Sequence, residues 1–180
     1  MAEIVIRRPK SAEYPRVHAF QCEYLDRESL EAFDRKLAEA TVHYLAAFDG
    51  NEVVGVCYGC QSSRDSDTMA LQGIAVSLDT SNNYARTGIG SKLNAAFEQS
   101  ARSSGYARID LGSADDLKVE RFYLKNGYVP YELVAKDAYY EELTRVAVDD
   151  YASGKELQQQ LRDQYRSASE VIFIFHKGLV

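Results

Sequence analysis

A chain of 180 residues that is 46% hydrophobic and 27% charged is long enough to bury a core and has no apolar run near the roughly 18 to 20 residues a membrane span requires. Its net charge of −6 and pI near 5.1 lack the basic footprint of phosphate-backbone binding, so neither nucleic acid nor membrane is an expected partner, and a cationic ligand is steered in more readily than an anionic one. Three cysteines, an odd set, and an N-terminus from Met1 to Arg8 without a secretory apolar core point to a reducing, cytoplasmic setting.

Ile4, Val5 and Ile6 open a first strand that stops at Pro9. Ser11 is placed to cap a helix with Tyr14, Val17 and Phe20 on its apolar side. A second helix runs from about Glu28 to Ala40, with Leu30, Phe33 and Leu37 at steps of three and four. Strands at 44–48 and 53–60 follow, joined by the turn Asp49-Gly50-Asn51. Cys57 and Cys60 form a Cys-x-x-Cys inside the second of these, where residues three apart face opposite sides. They therefore read as small buried hydrophobes rather than a redox or zinc pair. His18, His43 and His176 show no ligand spacing, and no metal is expected.

Met69 to Val76 is a mostly apolar strand, as expected where both faces are covered, and a loop rich in Ser, Asn, Asp and Thr follows over 77–83. Gly88-Ile89-Gly90 then opens a helix that carries Ile89, Leu93, Ala96, Phe97 and Ala101 on one face and closes at Gly105. Unpaired N–H groups and the positive end of the dipole make that helix start an anion site, which the two glycines let a ligand approach closely. Ala107 to Leu111 is a fifth strand, Val119 to Asn126 a short helix ended by Gly127, and 128–134 a further strand. Strand, crossover helix and strand between 69 and 111 imply a parallel element in an otherwise antiparallel sheet, which makes the fold α+β. Residues 137–166 are spaced for a helical insert of one or two amphipathic helices broken near Ser153-Gly154, ahead of the strong strand signal Val171 to Phe175. With no repeat and no linker composition, 1–180 reads as a single domain.

In that order, the strand 69–76, Gly88-x-Gly90, the strand 107–111 and the run Phe122-Tyr123-Leu124-Lys125-Asn126-Gly127-Tyr128 resemble the acetyl-CoA-binding core of the GNAT-type N-acetyltransferase superfamily. Its later hallmark, an aromatic-Tyr pair followed after three residues by Gly-Phe or Gly-Tyr, is intact. Its first, Gln/Arg-x-x-Gly-x-Gly/Ala, departs: Ala85 fills the leading slot, the arginine comes one place later at Arg86, and the connection from Val76 is a few residues longer than usual.

The resemblance implies a mixed, mostly antiparallel central sheet of about seven strands, splayed at a parallel pair and flanked by helices. It also implies acetyl-CoA as co-substrate, with its pyrophosphate on the N–H groups of Arg86, Thr87, Gly88, Ile89, Gly90 and Ser91 and its pantetheine beside Ile74, Ala75 and Val76. A main-chain donor near Val76 then stabilises charge on the thioester oxygen. Tyr123 matches the general acid for the leaving thiolate, and Asp116 a slot where many relatives carry an asparagine touching CoA. As a residue in its own right, Asp116 is equally a helix cap. The activity implied is direct acetyl transfer to a primary amine in a ternary complex, a small molecule before a protein amine, in a chain compatible with a homodimer; the alternative is an acyl-CoA-binding sensor or regulatory module without turnover. Relatives often carry a glutamate on the strand before the glycine loop, but Met69 to Val76 offers only Gln72. Glu23, Asp26 and Glu28, acting through a water, are the candidate bases, and none is singled out.

Overall fold

The computed structural model describes residues 3–79, 84 and 86–179. The chain separates into two compact units, Met1–Ile109 with Leu179–Val180, and Asp110–Gly178. In the first unit β1 (Val5–Arg7), β2 (Val42–Asp49), β3 (Glu52–Gln61) and β4 (Thr68–Val76) pair antiparallel in chain order. β5 (Arg108–Gly112), reached through helix α3 (Ile89–Ser103), starts beside β4 and runs parallel to it. The mixed α+β fold with one parallel pair is as expected.

α1 (Tyr14–Tyr24) follows a short 3-10 turn at Ser11–Glu13 and has its proline in the first turn, where a missing N–H costs nothing. α2 (Leu30–Ala38) starts at Ser29, whose hydroxyl accepts from the Ala32 N–H at 3.1 Å. Val17, Phe20, Phe33 and Leu37 of these helices pack on Tyr44, Ala46, Phe48, Val56 and Tyr58 of β2 and β3. α3 buries the face predicted for it, through Ile89, Leu93, Phe97 and Ala101.

The second unit holds α4 (Leu117–Lys125), β6 (Val129–Lys136), β7 (Glu142–Ala147), α5 (Tyr151–Gln164) and β8 (Glu170–Gly178), with β6 pairing antiparallel to both β7 and β8. Here the expected helical insert resolves into a strand and one helix, which brings the strands among the described residues to eight. The Asp137 carboxylate accepts from the N–H groups of Tyr139 at 2.8 Å and Glu141 at 3.0 Å, turning the chain back so that 142–147 pairs with β6. Ser153-Gly154 does not break α5 but lies in its first turns, where Asp150 accepts from the Ser153 N–H at 2.8 Å. Among the described residues no helix is long and apolar enough to cross a membrane.

Candidate active site

The end of β4 that the resemblance assigns to pantetheine is structurally distinct from its beginning. Tyr58 opposes Gly73 while Gly59 opposes Leu71, so Gln72 is an extra residue with no partner of its own on β3. Such a bulge interrupts the ladder and re-aims the strand, a device often found beside sites. Before it, Thr68, Met69 and Leu71 are buried; beyond Gly73, Ile74, Ala75 and Val76 are only half-buried.

The start of α3 is open. Arg86 and Gly88 both hold left-handed backbone, with φ of 63° and 87°. Arg86, Thr87 and Gly88 are exposed, and a Cβ built on Gly88 meets nothing within 4 Å. Gly88 is the N-cap residue, and among the described residues no side chain caps the helix; the first turn closes by the Lys92 N–H donating to the Gly88 carbonyl at 3.0 Å. Among the described residues the amides of Ile89, Gly90 and Ser91 therefore have no acceptor one turn back, and they face the helix mouth. Ile89 itself is 4% exposed, so it offers only main chain there. Ala85, the residue in the leading motif slot, and 80–83 of the preceding loop lie outside the described residues.

A cleft of about 520 Å³ lies in the same unit, walled by Arg16, Phe20, Glu23 and Tyr24 of α1, by Asn51 of the β2–β3 turn and 52–54 at the start of β3, and by Ser77, Asp79 and Tyr84. Its charge balance is acidic. Glu23, Glu52 and Asp79 face one guanidinium, Arg16, which already pairs with Glu13 at 2.7 Å. Phe20 and Tyr24 stack at 4.5 Å. The Tyr84 hydroxyl donates to Asp49 at 2.9 Å, and the hydrogen bond pushes its pKa up to about 12. An aromatic wall beside carboxylates that outnumber the guanidinium suits a cation.

The three carboxylates weighed as bases take different positions. Glu23 lines the cleft. Glu28 is held by the Lys36 ammonium and by the Gln21 amide at 2.6 Å. Asp26 accepts a hydrogen bond from Tyr58 at 2.6 Å. The contact of Tyr58 with Gly73 and Asp26 was not read from the sequence; the one available signal was a glycine inside an apolar strand, which commonly marks a bulge or a close approach.

In the second unit Asp116 is the N-cap of α4, accepting from the N–H groups of Lys118 at 2.7 Å and Val119 at 3.2 Å. Tyr123 is 6% exposed, with its ring edge-on to Phe122 and Tyr128 at 5.2 and 5.6 Å. Gly127, at φ 84°, ends the helix so that the Tyr128 N–H donates to the Tyr123 carbonyl at 3.1 Å. The later motif is thus a helix end that sets two tyrosines together.

Cys57 is buried and Cys60 half-buried, and burial raises both thiol pKa values, so neither offers a thiolate. Among the described residues no cluster of three His, Cys, Asp or Glu could hold a metal ion.

The family model described as Acetyltransferase (GNAT) family matches residues 11–128. No curated protein matches the chain. Among solved structures, the ribosomal-protein-S18-alanine N-acetyltransferase of Escherichia coli is 14% identical over 98% of this chain and 94% of that one, with a TM-score of 0.67. An aminoglycoside 6'-acetyltransferase type Ii is 17% identical over 98% and 97%, also at 0.67. A streptothricin-acetyltransferase candidate of Bacillus anthracis, solved in complex with acetyl coenzyme A, is 15% identical over 81% of this chain and 67% of that one, at 0.57. These identities carry the fold alone. The family match runs from Ser11 just before α1, through the β4 bulge and the open start of α3, to Tyr128 at the end of the tyrosine motif, and the chain belongs to the acetyltransferase (GNAT) family.

Proposed function

We propose that the chain is a cytoplasmic N-acetyltransferase that moves an acetyl group from acetyl-CoA to a primary amine by direct transfer in a ternary complex. The observation that carries this reading is the uncapped start of α3, where exposed main chain at Arg86 to Gly88 leaves room for a diphosphate. In this scheme the N–H groups of Arg86 to Ser91 hold the diphosphate and Ile74 to Val76 align the pantetheine. The amine nitrogen bonds to the carbonyl carbon, the carbon–sulfur bond breaks, and the sulfur takes its proton from Tyr123. The role of Asp116 is capping α4, with any contact to CoA secondary to it.

Solved neighbours are named for a ribosomal-protein alanine and for an aminoglycoside, so the fold serves both protein and small-molecule acceptors. The acidic, aromatic cleft beside α1 favours a small cationic amine. The absence of a carboxylate on Met69 to Val76 favours the second reading, an acyl-CoA sensor without turnover.

Calorimetric titration with acetyl-CoA and a thiol-release assay over an amine panel test both. Tyr123→Phe is expected to keep binding and lose about 10²-fold in rate, the size of general-acid catalysis. Binding without release for any amine would favour the sensor, and no binding at millimolar acetyl-CoA would end both readings.

A further inference from the structure

If β4 carries no acid, a proton acceptor for the incoming amine must come from another element. Tyr58 of β3 stands opposite Gly73 in register. Its ring fills the space a side chain at that position would need: a Cβ on Gly73 would lie 2.7 Å from Cε1, 2.8 Å from Cζ and 3.0 Å from the hydroxyl oxygen. Gly73 thus admits a phenol from the neighbouring strand onto the backbone of β4, one residue before Ile74. The phenol is fixed there. It is 3% exposed and stacks on Tyr44 at 5.2 Å with planes 4° apart.

The Tyr58 hydroxyl donates to Asp26 Oδ2 at 2.6 Å. Asp26 lies on the exposed connection between α1 and α2, and its main-chain carbonyl accepts from the Gln21 amide at 3.3 Å. Among the described residues Oδ1 has no partner. One carboxylate oxygen is therefore tied to a buried phenol over β4, and the other is open.

We propose that Asp26 is the proton acceptor for the amine and that Tyr58, admitted by Gly73, is the positioning residue that holds it over β4. The inference rests on the reading that the thioester lies along Ile74 to Val76. Asp26 takes one proton of the ammonium and releases it to solvent. The freed lone pair forms the nitrogen–carbon bond as the carbon–sulfur bond breaks, and the second nitrogen proton balances the one the sulfur takes from Tyr123. Tyr58 keeps its own proton, because burial and the Asp26 charge push its pKa far above neutral. The other charged and titratable groups around the phenol are Lys36 of α2, 4.6 Å from the ring centroid, its partner Glu28, Tyr44 of β2 and Cys57 of β3.

The test is kcat/KM for a panel amine against pH, in the full chain. At pH 7 Asp26→Asn is expected to lower it by about 10²-fold, the weight of a general base. Because an amine that has lost its proton needs no base, the deficit is expected to shrink below about tenfold near pH 10, where alkyl amines titrate. Tyr58→Phe, which keeps the stacked ring and frees Asp26, is expected to show the same pH pattern at about tenfold depth. Acetyl-CoA Kd should be unchanged in both. A deficit equal at every pH, or Asp26→Asn activity within about threefold of wild type at pH 7, overturns this assignment alone. A wild type that releases no thiol with any amine overturns it together with the reading on which it rests.

Discussion

Gly154 of α5 lies against the Phe173 ring of β8, and a Cβ at Gly154 would stand 2.6 Å from Cε1 and 3.1 Å from Cζ. Phe173 is fully buried, so the ring has nowhere to move. Two effects oppose each other in Gly154→Ala. Helix propensity favours alanine by about 1 kcal/mol, whereas forcing a methyl into a packed core costs about 1 to 3 kcal/mol. The clash is with a core aromatic rather than a flexible chain end, which sets the cost toward the upper end, so the substitution is expected to destabilise by up to about 2 kcal/mol net. Urea denaturation measures this; a stabilised variant would mean that α5 shifts freely on the sheet.

Glu13 gives the acid limb of stability a specific origin. Its carboxylate accepts from Arg7 at 2.7 and 2.8 Å, from Arg16 at 2.7 Å and from the Lys10 N–H at 2.8 Å. The Arg7 hydrogen bonds lead in holding its pKa at about 2 against an ordinary 4.5. A depressed folded-state pKa means the unfolded chain binds the proton more readily in acid. The stabilisation is therefore complete above pH 4.5 and is lost as pH falls toward 2. Glu13→Gln is expected to be less stable by roughly 1 to 3 kcal/mol at neutral pH, the range for charge-assisted hydrogen bonds. Denaturation midpoints of the two proteins should converge between pH 4.5 and 2. A gap that does not change with pH would place the stabilisation elsewhere.

What could be read in advance follows the range of the interaction. Gly88, the apolar steps from Ile89 to Ala101 and the cap at Asp116 are local signals, and each element they announce is present. β7 was missed because Glu142 to Ala147 is short and its turn carries no glycine. Tyr140 takes the left-handed conformation instead, at φ 63°, with Asp137 securing the turn. Ser153-Gly154 reads as a helix break because glycine's usual effect is entropic, yet here its small size serves a contact with a ring 19 positions away. The hydrogen bond from Tyr58 to Asp26 joins residues 32 apart across β3 and the α1–α2 connection. No periodicity encodes it, since it depends on a register slip at Gln72 that appears only once the strands are paired.

Glu120 on α4 tests how the second unit tolerates a buried charge. Its side chain is 1% exposed and is held by Lys155 Nζ at 3.0 Å, by the Tyr151 hydroxyl and by the Gln158 amide at 3.4 Å, all from α5. Burial, and after it the hydrogen bond to Glu120, pushes the Tyr151 pKa up to about 12. Removing Lys155 leaves a carboxylate without its counter-charge in a site water does not reach, although two neutral donors remain. Lys155→Met is therefore expected to cost about 1 to 3 kcal/mol, below the full cost of an unpaired buried ion. Glu120→Gln keeps the shape, removes the charge, and should make the loss of Lys155 nearly harmless. The double variant is then less destabilised than the sum of the singles, with a coupling energy of about 1 kcal/mol or more. A double-mutant cycle by urea denaturation measures it, and strict additivity would show that the ammonium contributes nothing to holding α5 on α4.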